Sequence, residues 1–156
     1  MDYDFGDMKL QNIRLFLSPK QDKIEQAIRT EEQRMNKDDL SRLITQYQKN
    51  IEYYRNAKNF NEQNCRDEFI SPLLECFGWD VHNKKGTLPQ YKEVVVEQFS
   101  NSGERPDYTL TLNGVSKIFA EAKKPAVNIT MEPAPAMQTR CYGWNARHKL
   151  SILTNF

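Results

Sequence analysis

Two carboxylates and an ammonium recur close together in the second half of the chain. Asp107 follows Pro106, and fourteen residues after Asp107 comes Glu121-Ala122-Lys123. Carboxylate oxygens suit a hard divalent cation such as Mg²⁺. An ammonium beside them can meet a phosphate oxygen or an attacking water. The combination points to metal-assisted phosphodiester cleavage. Taken singly the residues are ordinary: Glu-x-Lys on a strand is commonly a surface pair, and Asp after Pro a turn residue.

The chemistry needs a sheet to bring these groups together. Tyr108–Leu112 and Val115–Ala122 read as strands joined by Asn113-Gly114, a favoured two-residue hairpin turn. Side chains alternate along a strand, so Glu121 and Lys123 share a face. A tight two-residue turn sets Asp107 opposite Ala120, whereas one extra residue sets it opposite Glu121. In either register the two acids are cross-strand neighbours, and a cation between them relieves their repulsion.

The rest of the chain supplies the frame. A polar, charged stretch suggests a solvated helix around Asp22–Met35, started by Ser18-Pro19. Leu40, Leu43, Ile44, Tyr47, Ile51 and Tyr54 form one apolar stripe on a helix from about Asp39 to Ala57. A second helix runs from Asn61, its cap, to Phe77, with Gly78 as its stop. Pro72 lies inside it, so the helix either kinks at Glu68 or restarts at Ser71-Pro72. Tyr91–Phe99 reads as a strand and Asn101-Ser102-Gly103 as a turn. A helix from about Ala134 to Arg147 precedes a last strand, Leu150–Leu153. This order predicts a mixed sheet with helices packed on it.

Bulk properties narrow the function classes. The chain has 156 residues, 38% apolar and 28% charged, with a net charge of +1. It is not a polybasic protein that grips nucleic acid by overall charge. Cys65, Cys76 and Cys141 show no Cys-x-x-Cys spacing and read as free thiols of a reducing cytoplasm. No apolar run reaches the length of a membrane helix, and the acidic N-terminus has no signal core. The chain stops at what reads as a strand edge, as a fragment of a larger protein would.

In sequence order the motifs resemble a known superfamily. Pro106-Asp107 and Glu121-Ala122-Lys123 are similar to the PD-(D/E)xK nuclease signature, and Gln138-x-x-x-Tyr142 to the motif of its type I restriction and RecB-like branch. Arg66-Asp67-Glu68-Phe69-Ile70-Ser71-Pro72-Leu73-Leu74 with Phe77-Gly78-Trp79-Asp80-Val81 resembles the first helix of the nuclease domain that begins type I R subunits and type IIG restriction–modification enzymes. Glu121 to Ile129 and Leu150 to Phe156 look closer to the type IIG form.

The resemblance covers residues 59–156 and implies a restriction-endonuclease-like core of mixed α/β (α+β) type, preceded by a helical extension, residues 1–58. It implies Mg²⁺-dependent cleavage of double-stranded DNA, with Mn²⁺ as a substitute. Asp107, Glu121 and the Ala122 carbonyl would hold the ion. Lys123 would orient or deprotonate the water, and Glu68 would complete the acidic cluster. Gln138 and Tyr142 would position Lys123 or a phosphate, and Lys124, Arg140 and Arg147, with Lys149 nearby, would meet the DNA backbone. No phosphate-binding loop and no methyltransferase motif is present, so a methyltransferase or motor and a specificity module are expected elsewhere in the parent protein. The alternative is a nuclease-like fold that serves as a noncatalytic DNA-binding or assembly module.

Overall fold

The apolar stripe from Leu40 to Tyr54 is carried by two helices, not one. In the computed structural model, which describes residues 35–97, 103 and 105–156, α1 is Lys37–Lys49 and α2 is Ile51–Asn56. Asn36 caps α1 by accepting the Asp39 N–H, with Asp38 and Asp39 in the first turn. The chain leaves helical geometry at Asn50 and resumes at once. Leu43, Tyr47 and Tyr54 are buried as the stripe requires, while Ile44 sits at its exposed margin. The helix expected around residues 22–35 lies, but for Met35, outside the described residues.

The next helical run shows how the chain solves its proline. Asn61 caps α3 (Glu62–Cys65) through a reciprocal pair of bonds with Asn64. Pro72 has no N–H for the Glu68 carbonyl. The helix does not restart with Ser71 as a cap there. It widens into a π turn, Arg66–Ile70, in which the Ser71 N–H reaches back to the Arg66 carbonyl, before α4 (Ser71–Cys76) continues. The buried Tyr108 hydroxyl sits beside this turn, 2.8 Å from Ser71 Oγ and 3.4 Å from the Arg66 carbonyl oxygen. Gly78 takes the positive φ that ends the run, as expected.

Four strands follow: β1 (Val94–Val96), β2 (Tyr108–Leu112), β3 (Val115–Ala122) and, after α5 (Pro133–Asn145), β4 (Leu150–Thr154). They lie in the order β1-β2-β3-β4, antiparallel except for the parallel β3–β4 pair. A parallel pair needs a crossover, and α5 is that crossover. The result is the helix-flanked mixed sheet that the element order and the resemblance both implied. β1 is shorter than expected because Pro89–Tyr91 forms a separate 3₁₀ turn and Glu97 adopts φ 51°. Most of the expected turn at 101–103 lies outside the described residues. Gly114 holds φ 75° in the hairpin turn, and a Cβ there would stand 2.6 Å from the Gln90 carbonyl oxygen.

The core lies between the helices and one face of the sheet. Tyr47, Tyr54, Phe60, Phe69 and Phe156 form a ring cluster, with edge-on pairs such as Tyr47–Phe69 at 5.1 Å and Tyr54–Phe69 at 4.9 Å. Such pairs contribute about 0.5–1.5 kcal/mol beyond simple burial. Ala120 and Ala122 from β3 close the cluster against the sheet. The compact unit runs from Asn36 to Phe156, and Leu43, Tyr47 and Tyr54 of α1 and α2 share its apolar cluster with residues of the sheet. No helix among the described residues is long and apolar enough to cross a membrane.

Candidate active site

The hairpin uses both of the devices weighed for it. Leu112 pairs with Val115 across the two-residue turn, yet Leu110 pairs with Ile118, so Lys117 is an extra, bulged residue. Beyond the bulge Tyr108 pairs with Ala120, and one step further the same register sets Asp107 opposite Glu121. β3 changes character over this stretch. Its first half alternates exposed and half-buried residues and its second half, Phe119–Ala122, is buried throughout.

Asp107 is held from two sides. Its Oδ2 accepts the Ala122 N–H at 2.7 Å, and its Oδ1 accepts from Arg66 Nη1 at 2.6 Å. Arg66, only 5% exposed, comes from the π turn. Its Nη2 also donates to Glu97 Oε1 at 2.5 Å and to Gln63 Oε1. Burial works against the Arg66 charge, but Glu97 and Asp107 outweigh it and the guanidinium is held more firmly charged than usual.

Glu121 is 5% exposed. Its Oε1 accepts from Lys123 Nζ at 2.8 Å, and its Oε2 is buried with no partner. Burial pushes the Glu121 carboxyl above its ordinary range; Lys123 pulls it back, and Asp107 and Glu62 push it further up. Lys123 is drawn down by burial, yet Glu121, Glu62 and Asp107 prevail and raise it. The ammonium also stands 3.5 Å from Glu62 Oε2.

The other candidate residues fall in different places. Glu68 is exposed on the π turn. The acid that reaches the cluster is Glu62, six residues earlier, in the first turn of α3. Six residues are about one and two-thirds helical turns, so the two carboxylates do not share a face. Glu62 was legible only as a first-turn acid after its Asn61 cap. Gln138 Nε2 donates to the Tyr142 hydroxyl at 2.6 Å, as their spacing on α5 allows. Lys124, Arg140, Arg147 and Lys149 are all exposed, around the end of β3, on α5 and in the turn before β4. Arg66, Gln63 and Glu97 had no signal as site residues, because arginine is seldom buried and its partners lie far apart in sequence.

Among the described residues no group of three or more His, Cys, Asp or Glu side chains is disposed to hold an ion. What remains is the pair Asp107 and Glu121, set opposite each other by the register. This donor set is all oxygen and suits a hard cation that keeps several waters. The unpartnered, buried Glu121 Oε2 is an acceptor that a cation would satisfy. Both Asp107 oxygens already take one donor and retain lone pairs for another contact. A separate cleft, lined by Asp39, Arg42, Glu75, Trp79, Asp80 and Lys85 among others, contains none of these groups.

Comparison with known proteins bears on the whole arrangement. No family model matches the chain, and no solved structure matches it. The chain is 43% identical over 125 residues to the type II restriction enzyme and methyltransferase RM.Eco57I of Escherichia coli. That match takes in 77% of the chain and spans 12% of the length of the relative. The chain is thus related to one segment of a bifunctional restriction enzyme and methyltransferase.

Proposed function

We propose that this chain is the endonuclease part of a cytoplasmic restriction enzyme and hydrolyses phosphodiester bonds of double-stranded DNA with Mg²⁺. The observation that carries the reading is the bulge-set register that faces Asp107 with Glu121 and leaves Lys123 paired beside them. The similarity to a segment of a restriction enzyme supports it independently.

In this reading Asp107, Glu121 and the Ala122 carbonyl hold the ion. When bound, Mg²⁺ offsets phosphate charge and makes water more acidic. Lys123 lies within 3.5 Å of two carboxylates and serves as a fixed cation, donating to the phosphate oxygen on which charge accumulates. Asp107 cannot drift, since Arg66 and the Ala122 N–H clamp its two oxygens. Gln138 and Tyr142, tied to each other, meet a phosphate from α5. Lys124, Arg140 and Arg147 add contacts to the backbone that carry no sequence information. Sequence recognition and methylation belong to other parts of the parent enzyme.

The test is nicking of supercoiled plasmid by the full-length parent with Mg²⁺ or Mn²⁺. Wild type nicks; Asp107→Ala and Lys123→Ala each lose at least about 100-fold in rate. If both variants nick like wild type, the residue assignment is wrong. If wild type binds DNA and never nicks, the noncatalytic alternative holds instead.

A further inference from the structure

Asp107 belongs to a second charged group besides the one shared with Glu121. Arg66 spans Asp107 Oδ1 at 2.6 Å and Glu97 Oε1 at 2.5 Å with its two terminal nitrogens. Two carboxylates converging from the end of β1 and the start of β2 are the kind of pair a bridging divalent ion takes. Here a planar fork of N–H donors occupies that centre. The fork is built in. Arg66 is buried in the π turn, Gln63 takes one of its nitrogens, and Arg105 takes the other Glu97 oxygen at 2.6 Å. The Glu97 N–H in turn donates to the Asp107 carbonyl at 3.0 Å, which ties the two acids together through the backbone as well.

The charge balance points the same way. Among the described residues Glu62, Glu97, Asp107 and Glu121 stand against Arg66, Arg105 and Lys123, a single net negative charge for these seven groups. One divalent ion makes the group mildly positive, as a phosphate requires. A second would add two charges to an already cationic site.

We infer that Arg66 is a built-in second cation: the site takes one divalent ion, between Asp107 and Glu121, and the guanidinium fills the place beside Asp107 where a second would bridge to Glu97. The inference rests on the reading of Asp107 and Glu121 as ion ligands.

The test counts Mn²⁺ bound to the full chain without DNA, by calorimetry and by the electron paramagnetic resonance signal of free Mn²⁺. Wild type is expected to bind one ion, and Glu97→Gln one ion with affinity within threefold of wild type. Arg66→Lys keeps one. Arg66→Ala, where circular dichroism shows it folded, takes two, because the vacated Glu97–Asp107 pair accepts an ion. Two ions in wild type overturn the inference and leave the Asp107–Glu121 site standing. So does a single ion in folded Arg66→Ala, or loss of the ion in Glu97→Gln. No ion in wild type overturns the underlying site itself. If Arg66→Ala does not fold, the wild-type count and the Glu97→Gln affinity decide the matter alone.

Discussion

The two ends of the β3–α5–β4 crossover are built on opposite principles. Where β3 ends, charged groups are buried or half-buried and each is gripped by others: Asp107 by Arg66 and the Ala122 N–H, Lys123 by Glu121 and Glu62. Along α5 the Gln138 and Tyr142 side chains, which have chemistry to offer, are bonded to each other among the described residues, and Trp144 stands 85% exposed. The first region is fixed before any substrate arrives, which is what an ion site and a positioned ammonium need. The second is open, and suits contacts made when a long polyanion lies across it. Preorganisation is concentrated at the residues to which the proposed function assigns the chemistry.

The sharpest way to break this contrast is to unclamp the first region. Arg66→Ala leaves Asp107 and Glu97 facing each other without their shared cation, and buried pairs that lose one partner cost about 3–5 kcal/mol. Urea denaturation of wild type and variant without divalent ions measures it. A loss under about 1 kcal/mol would show that the clamp is ornamental, comparable to an exposed pair, and the proposed difference between the regions would disappear.

A smaller loss is expected where α5 meets the sheet. A Cβ on Gly143 would come within 2.0 Å of Ser151 Oγ and 3.3 Å of Ser151 Cβ. The hydroxyl can rotate away, but the Cβ contact stays tight, so Gly143→Ala costs about 1–3 kcal/mol as overpacking does. Gly143→Ala with Ser151→Gly recovers much of it, since both offending atoms are gone. Equal destabilisation in the single and double variants would mean that α5 is seated by something other than this close approach.

How much of this was legible in the sequence differs between the same regions. The hairpin limits, Tyr108–Leu112 and Val115–Ala122, follow from alternation and the Asn113-Gly114 turn and recur unchanged in the structure. The bulge at Lys117 does not, because turn chemistry constrains the loop and not the strand behind it. Pro72 announced a break in helical bonding, but not the widened turn that answers it, beside which Tyr108 sits from far along the chain. That same π turn carries Arg66, so the residue that clamps Asp107 was hidden by the least local feature of the fold. Glu62 in place of Glu68 is a matter of helical phase. α5 was the reverse case: its i, i+4 pair was visible at once, because nothing beyond the helix decides it.

The smallest effect concerns the anchor that joins the π turn to the strand bearing Asp107. Tyr108→Phe removes the hydroxyl shared with Ser71 and the Arg66 carbonyl, a net loss of about 0.5–1.5 kcal/mol near neutral pH. The penalty has a distinctive pH dependence. Burial pushes the Tyr108 phenol up to about 12 from its ordinary 10.0. An unfolded phenol ionises through 10, whereas the folded one resists until about 12, so the stability linked to the neutral hydroxyl is complete below 10 and lost as pH climbs to 12. Phenylalanine has no such limb. Urea midpoints of both proteins at pH 8, 10 and 11.5 should therefore converge, or cross, on the alkaline side. If the gap between them stays constant across that range, the Tyr108 hydroxyl is not sequestered against the helix, and the link from Pro72 through the π turn to the placement of Asp107 fails with it.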